Sequence, residues 1–329
     1  MTALLRSIAL SLCLALVLGA VGGVGAARGS TAEIAFTSPP AEPAYHVVGQ
    51  PFTLSWQENV ESTTRSLQQE EAALDIDGGC AGAAWQAVLA SEPQATSVEL
   101  ELTVNRCYRW TVTLTAGETT YSATSPSLRT LKVWTGKLNL YRKGVFSSQH
   151  KWDWCVAASV QMMLNIIKGT SDRSRSNQKK YYLYARANDL TPDRIPGADP
   201  RGWALALSRY GGGTYQDVNS PSFRTAMRRA AKRMRLTGRP VGILARAGDH
   251  AMVLNGFEAT ADPATTDDYE VTAVRVMGSL WPDYPKYDPP PNTRYTAATF
   301  KRRFFSRYDN PFGSARWSVW EGYFVTINP

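Results

Sequence analysis

The sequence predicts a two-domain protein in which an all-β sandwich precedes an α+β domain. The chain has 329 residues, a length that typically makes about two domains. Short segments that alternate apolar and polar residues fill positions 31–135, whereas helical segments come first and apolar strands follow in positions 138–329. Helices and strands that are segregated along the chain indicate α+β rather than alternating βαβ organisation.

The chain begins with a segment typical of a secretory signal peptide. A basic start that contains Arg6 is followed by an apolar core from Ser7 to Val21 and by small residues that end at Ala27. Because this core is shorter than a membrane span, cleavage is favoured over retention as an anchor. We therefore expect residues 1–27 to be removed. The mature protein is then secreted or held in the cell envelope, with no membrane segment.

The segment 31–135 predicts an antiparallel sandwich. Alternation is clearest in Phe52–Trp56, Ser97–Val104 and Cys107–Leu114, and turn-forming glycines separate these runs. Short strands at this spacing are typical of domains of immunoglobulin or fibronectin type. No catalytic constellation is visible here. The expected role is that of a spacer or of a module that contacts the cell envelope or a protein.

The cysteine count leaves one thiol without a partner. Of the four cysteines, Cys13 leaves with the signal peptide. Cys80 and Cys107 lie in the same half of the chain, and an oxidising compartment permits a disulfide between them. Cys155 is then alone, and an odd thiol in an exported protein is either reactive or buried and inert.

The second domain, 138–329, is predicted to contain four helices followed by four strands. A helix from Trp154 to Lys168 is apolar nearly all round, so it should be buried, and Gly169 is suited to end it. The other elements are expected at 178–187, 202–210 and 222–236 for the helices, and at 240–245, 250–257, 270–277 and 317–327 for the strands. The proline-rich segment 281–292 should form a loop that edges the cleft.

The segment that leads into the first of these helices carries the strongest functional signal. Cys155 opens the helix, where free backbone N–H groups and the positive end of the helix dipole favour a thiolate. Gln149, six residues earlier, is placed to donate a hydrogen bond to an oxyanion. His250 begins an apolar strand, and a neutral imidazole at such an edge can take the proton of a thiol.

In this order, Gln149, Cys155 and His250 resemble the catalytic residues of the papain-like cysteine peptidases. The interval of 95 residues between Cys155 and His250 is more similar to the compact bacterial branch, which is related to the bacteriocin-processing peptidases that remove double-glycine leaders. The resemblance covers roughly 138–329. It implies a papain-like fold, a peptide or protein substrate and no cofactor. Cys155 would be the nucleophile, His250 the general base and acid, and Gln149 and the Cys155 N–H the oxyanion donors.

One position departs from the family pattern. In papain-like enzymes an Asn or Asp after the next strand orients the histidine, and Gly278 stands at the matching place here. The nearest candidates for this role are Asp283, which we expect to fold back onto the ring, and Ser279. Aromatic residues crowd the predicted cleft, and Trp154 and Trp281 are expected to line the substrate groove.

Other classes of function find little support in the sequence. The net charge is +8, and much of it lies on a basic helix that a solvated face explains without a nucleic-acid partner. No metal-ligand spacing, phosphate-binding loop or dinucleotide fingerprint is present, so we expect no metal or cofactor. A monomer is expected.

The leading interpretation is an exported cysteine peptidase. Acyl transfer of transglutaminase or amidase type would use the same residues. A third possibility is a papain-like shell that has lost activity and binds or adheres to a target, as the gap at Gly278 would suggest.

Overall fold

The computed structural model describes residues 33–40, 44–62, 64–74, 79–190, 197–309 and 319–329. The predicted signal peptide, 1–27, lies outside these ranges. The described residues form a β-rich protein with sixteen strands and five α-helices. No helix among them is long and apolar enough to cross a membrane.

Two β-sheets make up the N-terminal part. The smaller sheet contains β1 (Ile34–Ser38), β3 (Phe52–Glu58) and β6 (Ser97–Leu100), with β3 in the middle. The larger sheet contains β2 (Ala44–Val47), β4 (Thr64–Ala73), β5 (Gln86–Ser91), β7 (Arg106–Ala116), β8 (Thr119–Thr124) and β9 (Leu128–Leu131). Its order is β2-β9-β7-β4-β5, and β8 also pairs with β7. The pair β2–β9 is parallel, so the predicted antiparallel arrangement needs this one correction.

A single hydrophobic core lies between these two sheets. Leu54 and Trp56 enter it from β3, and Trp110 and Val112 enter it from β7. The indole N–H of Trp110 donates to Gln69 Oε1 at 2.9 Å, so the buried ring keeps its hydrogen bond. The predicted disulfide between Cys80 and Cys107 is present, with a Cα–Cα distance of 5.7 Å.

A seven-stranded sheet forms the centre of the second part. It contains β10 (Lys137–Asn139), β11 (Gln216–Ser220), β12 (Val241–Ala245), β13 (His250–Ala259), β14 (Val271–Gly278), β15 (Thr293–Thr296) and β16 (Phe324–Asn328). The order is β11-β16-β12-β13-β14-β15, with β10 paired to β13, and all pairs are antiparallel. The helices are α1 (Cys155–Lys168), α2 (Arg175–Ala187), α3 (Pro200–Gly211), α4 (Phe223–Thr237) and α5 (Ala297–Arg303).

Helices cover both faces of this sheet, and a separate hydrophobic core lies on each face. Ala251 and Val253 of β13 pack in a core with α1, α2 and α3. Met252 and Leu254 of the same strand pack in a second core with α4 and α5. This alternation follows from the two-residue period of a strand. It explains why β13 reads as a mostly apolar run.

The predicted elements of the second part are largely confirmed, with shifts of a few residues at their ends. The helix that begins at Cys155 ends at Lys168, and Gly169 caps it in the left-handed conformation with φ of 69°. The final strand starts only at Phe324, because Trp320 and Tyr323 lie in a hydrogen-bonded turn before it. Strands β10, β11 and β15 and helix α5 were not predicted, and because β11 lies between α3 and α4 and α5 follows β15, the predicted order of helices before strands needs correction. In the N-terminal part, β1, β2, β4, β5, β8 and β9 were not predicted.

Candidate active site

Cys155 is the first residue of α1 and is half-buried. The preceding residue, Trp154, provides no side-chain cap among the described residues. The first N–H groups of a helix have no acceptor within the helix, so donors from the first turn lie next to the thiol. The thiol therefore lies at the N-terminal end of a helix, the position that the sequence predicted for it.

His250 is the first residue of β13 and is buried. A hydrogen bond ties its strand to the nucleophile helix, since Ser159 Oγ donates to the Ala251 carbonyl at 3.2 Å. Cys155 and His250 line the same cavity, which has a volume of about 240 Å³. The structure thus brings together the two residues predicted to be nucleophile and base.

The cavity walls combine apolar and acidic groups. Val156, Pro200 and Leu244 are apolar lining residues, and Asp153 and Asp249 are acidic ones. The Asp153 carboxylate accepts a hydrogen bond from the Tyr182 hydroxyl at 2.8 Å. Such a mixture of apolar surface and a few polar groups is typical of ligand sites.

Asp288 is the hydrogen-bond partner of His250. His250 Nε2 donates to Asp288 Oδ2 at 2.9 Å, and the carboxylate is completely buried. The backbone N–H of Leu280 donates to the same oxygen at 2.7 Å. Because Asp288 occupies Nε2, the other ring nitrogen, Nδ1, is left for Cys155. The arrangement is that of a nucleophile, a base and a group that orients the base.

The prediction for the orienting residue was therefore wrong. Asp283 is exposed in the loop that follows β14 and does not reach the ring. Ser279 is buried, but its hydroxyl donates to Gln149 Oε1 at 2.8 Å and not to the imidazole. Proximity along the chain favoured Asp283. The loop instead folds through two turns, in which Tyr284 N–H bonds to the Leu280 carbonyl and Asp288 N–H bonds to the Tyr284 carbonyl, and these turns bring Asp288 inward.

Gly278 explains how Asp288 reaches the histidine. A Cβ atom placed on Gly278 would lie 2.2 Å from Asp288 Cγ and 2.3 Å from Oδ2. The carboxylate thus fills the space that a side chain at position 278 would need. The missing side chain at position 278 therefore leaves the space that Asp288 occupies. A glycine at the end of the strand was the signal that could have indicated a side chain entering from elsewhere.

The surroundings of His250 favour its charged form. Burial opposes protonation of the ring, but hydrogen bonds to Asp288 and to Cys155, together with charge attraction to both, outweigh burial and raise the pKa of His250 to about 9. Below about pH 9 the ring can therefore act as a proton donor.

Gln149 lies in the loop before Cys155, and the surrounding hydrogen bonds fix its orientation. Its Oε1 accepts from Ser279, and its Nε2 donates to the carbonyls of Lys151 at 3.0 Å and Trp152 at 2.7 Å. Both amide hydrogens are thus used within the loop. Its role as an oxyanion donor stays a prediction, because one of these bonds must be released before the amide can meet an oxyanion.

A buried glutamine clamps the backbone on both sides of Gln149. The Gln178 side chain of α2 accepts from His150 N–H at 2.7 Å and donates to the Ser148 carbonyl at 3.1 Å. The loop that leads to the nucleophile is therefore attached to α2 as well as to Ser279, the residue after β14.

The structure does not place Trp154 and Trp281 in the groove. Trp154 is buried in the core under the site and stacks on Tyr182, with ring centroids 5.4 Å apart. Trp281 lines a different cavity, together with Phe146 and His150. The tryptophan that lines the cavity of Cys155 is Trp152. The sequence just before α1 did not reveal which of the two indoles, Trp152 or Trp154, would be buried.

A Gly248→Ala substitution is expected to displace the turn that carries His250. Gly248 has φ of +116°, and an added Cβ would lie 2.3 Å from Tyr308 Cε2, so strain and a clash combine. The expected cost in the free energy of unfolding is about 1–3 kcal/mol, and labelling of Cys155 by an electrophile should slow. The matched control is Gly322→Ala. Gly322 also has positive φ, of +77°, but nothing lies within 4 Å of its added Cβ. Equal thermal shifts in the two variants would contradict the assigned contact with Tyr308.

No protein-family model matches this chain, and no curated protein matches it. Its function is therefore inferred from the residues of the site itself.

Proposed function

We propose that this chain is an exported cysteine peptidase of papain-like type, with Cys155, His250 and Asp288 as its catalytic residues. One observation carries the proposal. Asp288 accepts a hydrogen bond from Nε2 of the buried His250, which leaves Nδ1 of the ring for the Cys155 thiol at the start of α1. His250 and Cys155 line one cavity. This combination of roles defines a nucleophile, a base and an orienting group.

The reaction follows from these positions. His250 takes the thiol proton, and the Cys155 sulfur attacks the carbonyl carbon of the peptide. The Cys155 N–H, and Gln149 once one of its loop bonds is released, donate to the oxyanion. His250 then gives its proton to the leaving nitrogen as the C–N bond breaks, and a thioester remains. Water attacks the thioester and transfers a proton to His250. The acid product leaves, and the thiol recovers its proton.

Asp288 removes the reason for favouring an inactive binding protein. That alternative drew its support from the absence of a polar residue at Gly278. The His250–Asp288 hydrogen bond supplies the missing interaction from the next loop.

Export and the role of the N-terminal part belong to the same proposal. The Cys80–Cys107 disulfide supports an oxidising compartment outside the cytoplasm. The two sheets around Trp56 and Trp110 support a sandwich of immunoglobulin or fibronectin type. We propose that this part serves as a spacer or contacts the cell envelope, and that residues 138–329 carry the activity.

Labelling with a peptidyl epoxide tests the proposed function. Mass mapping of the full mature chain should show rapid modification at Cys155, because the imidazolium protonates the epoxide oxygen as the thiolate attacks. A His250→Ala variant should react at least about 10²-fold more slowly. The matched control is His150→Ala. His150 is five residues from Cys155 in sequence, but its ring bonds to the Arg173 carbonyl. If the wild-type protein reacts at the rate of an ordinary thiol, and the His250→Ala variant reacts equally fast, the proposal is contradicted.

A further inference from the structure

Three exposed aromatic rings form a continuous ledge at the mouth of the cavity. Trp152, Tyr284 and Tyr287 have exposed fractions of 70%, 45% and 50%. The Trp152 and Tyr284 rings lie 5.6 Å apart at 72°, and the Tyr284 and Tyr287 rings lie 6.4 Å apart at 77°. We call these three residues the aromatic ledge. Large aromatic groups left in contact with each other and with water commonly mark a binding surface.

The aromatic ledge is continuous with the candidate active site at one end and is held by Arg246 at the other. Trp152 lines the cavity that contains Cys155 and His250. At the other end, the Arg246 guanidinium lies over the Tyr287 ring, 5.0 Å from its centroid, and donates to the Tyr287 carbonyl. Arg246 begins the turn that leads to His250. Tyr287, and Tyr284 packed against it, are therefore positioned before any ligand arrives, which lowers the entropy cost of binding.

The position of the aromatic ledge indicates which part of a substrate it meets. Tyr284 and Tyr287 belong to the loop that ends in Asp288, and Asp288 lies behind His250. The leaving amine must approach His250 to receive its proton, whereas the acyl part must lie over the N–H of Cys155. Tyr284 and Tyr287 are thus on the side of the leaving group, and Trp152 joins them through its ring contact with Tyr284.

The geometry of the rings favours peptide side chains over sugars as the occupant. Neighbouring rings are close to perpendicular, so the ledge presents alternating faces and edges with notches between them. Aromatic and large apolar side chains pack well in such edge-to-face arrangements. A flat sugar ring would need one open, planar face. At about 3.3 Å per residue of an extended peptide, the spacing of the rings suits about the first three residues after the scissile bond.

We propose that the aromatic ledge selects substrates with an aromatic or large apolar residue within the first three positions after the scissile bond. This inference rests on the proposed function and names the substrate class of the same site. It assigns Trp152, Tyr284 and Tyr287 as specificity-determining residues. None of them takes part in the bond-making steps.

Profiling of cleavage sites tests this inference and does not require that a substrate be identified first. The full mature chain is incubated with a complex mixture of peptides, and mass spectrometry identifies the residues that flank each new terminus. Aromatic and large apolar residues are expected to be enriched on the downstream side. In Trp152→Ala and Tyr284→Ala variants this enrichment should fall about two- to tenfold, the value of one aromatic contact. The upstream preference should stay as in the wild type.

The controls separate the two proposals. Tyr45→Ala removes a tyrosine of similar exposure, 46%, in the N-terminal part and should keep the wild-type profile. Circular dichroism and thermal melting verify that the ledge variants are folded. Cleavage without any downstream preference, or with apolar enrichment only upstream, would contradict the specificity role of the aromatic ledge but not the proposed peptidase function. Absence of any cleavage by wild-type protein whose Cys155 labels rapidly would overturn the peptidase function, and the ledge assignment with it.

Discussion

An Asp288→Ala variant is expected to label with a peptidyl epoxide about 10²- to 10⁴-fold more slowly than the wild-type protein, as for loss of the group that orients a catalytic imidazole. Asp288 is the acceptor for His250 Nε2. Without it the ring is free to turn away from the thiol, and the imidazolium loses its buried counter-charge. Second-order rate constants for modification of Cys155, measured by mass spectrometry, check this expectation.

Asp283 provides the matched control for this experiment. It lies in the same loop but is exposed, so Asp283→Ala should label within about twofold of the wild type. A folded Asp288→Ala protein that labels as fast as Asp283→Ala would contradict the assignment of Asp288. Thermal melting is needed beside the rates, because the substitution also leaves the Leu280 N–H without its acceptor.

The pH dependence separates the charge of Asp288 from its role in orientation. Interactions with Asp288 and Cys155 outweigh burial and raise the pKa of His250 to about 9. The imidazolium is therefore present below this pH and is lost as the pH rises through about 9, together with the stability that its partners contribute. Epoxide opening needs the ring proton, so labelling should fall above about pH 9. Asp288→Asn keeps an acceptor oxygen without charge, and its alkaline limb should move to lower pH. An unchanged limb would mean that the carboxylate charge does not act on the ring.

Elements with a strong local signal could be predicted from the sequence. The helix α1 follows from a mostly apolar run between Cys155 and Gly169, and the left-handed cap at Gly169 suits a glycine. Strand β13 follows from its apolar run, because each face is buried in a different core. Both elements carry a candidate catalytic residue at their first position. Cys155 and His250 could be found for this reason.

Features that depend on tertiary pairing could not be predicted. Strand β4 is rich in Gln and Glu, and its hydrogen bonds to β5 and β7 hold it in the sheet. Asp288 lies in a proline-rich loop whose path is set by turns and by the empty space at Gly278. Nothing in the local sequence distinguishes the inward Asp288 from the outward Asp283. The same limit applies to the buried Trp154 and the exposed Trp152.

A double substitution that returns the orienting side chain to position 278 is expected to recover much of the reactivity that each single substitution removes. Gly278 pairs with Met252 across the sheet. Since side chains at 250 and 252 point to the same face of β13, a side chain at 278 is a diagonal neighbour of His250. Gly278→Asn alone should expel Asp288, because the new Cβ would lie 2.2 Å from its Cγ. Asp288→Gly alone should leave the ring without an acceptor.

The double variant Gly278→Asn/Asp288→Gly removes the clash and supplies an amide next to the ring. We expect epoxide labelling at least about tenfold faster than in either single variant, a coupling that independent sites do not show. Gly278 does not lie in the left-handed region of φ, so the backbone accepts asparagine once the space is free. Gly278→Asn combined with Asp283→Gly is the matched control and should stay as slow as Gly278→Asn. If the effects of the two substitutions simply add, positions 278 and 288 do not compete for one space, and Asp288 orients His250 by a route independent of the glycine.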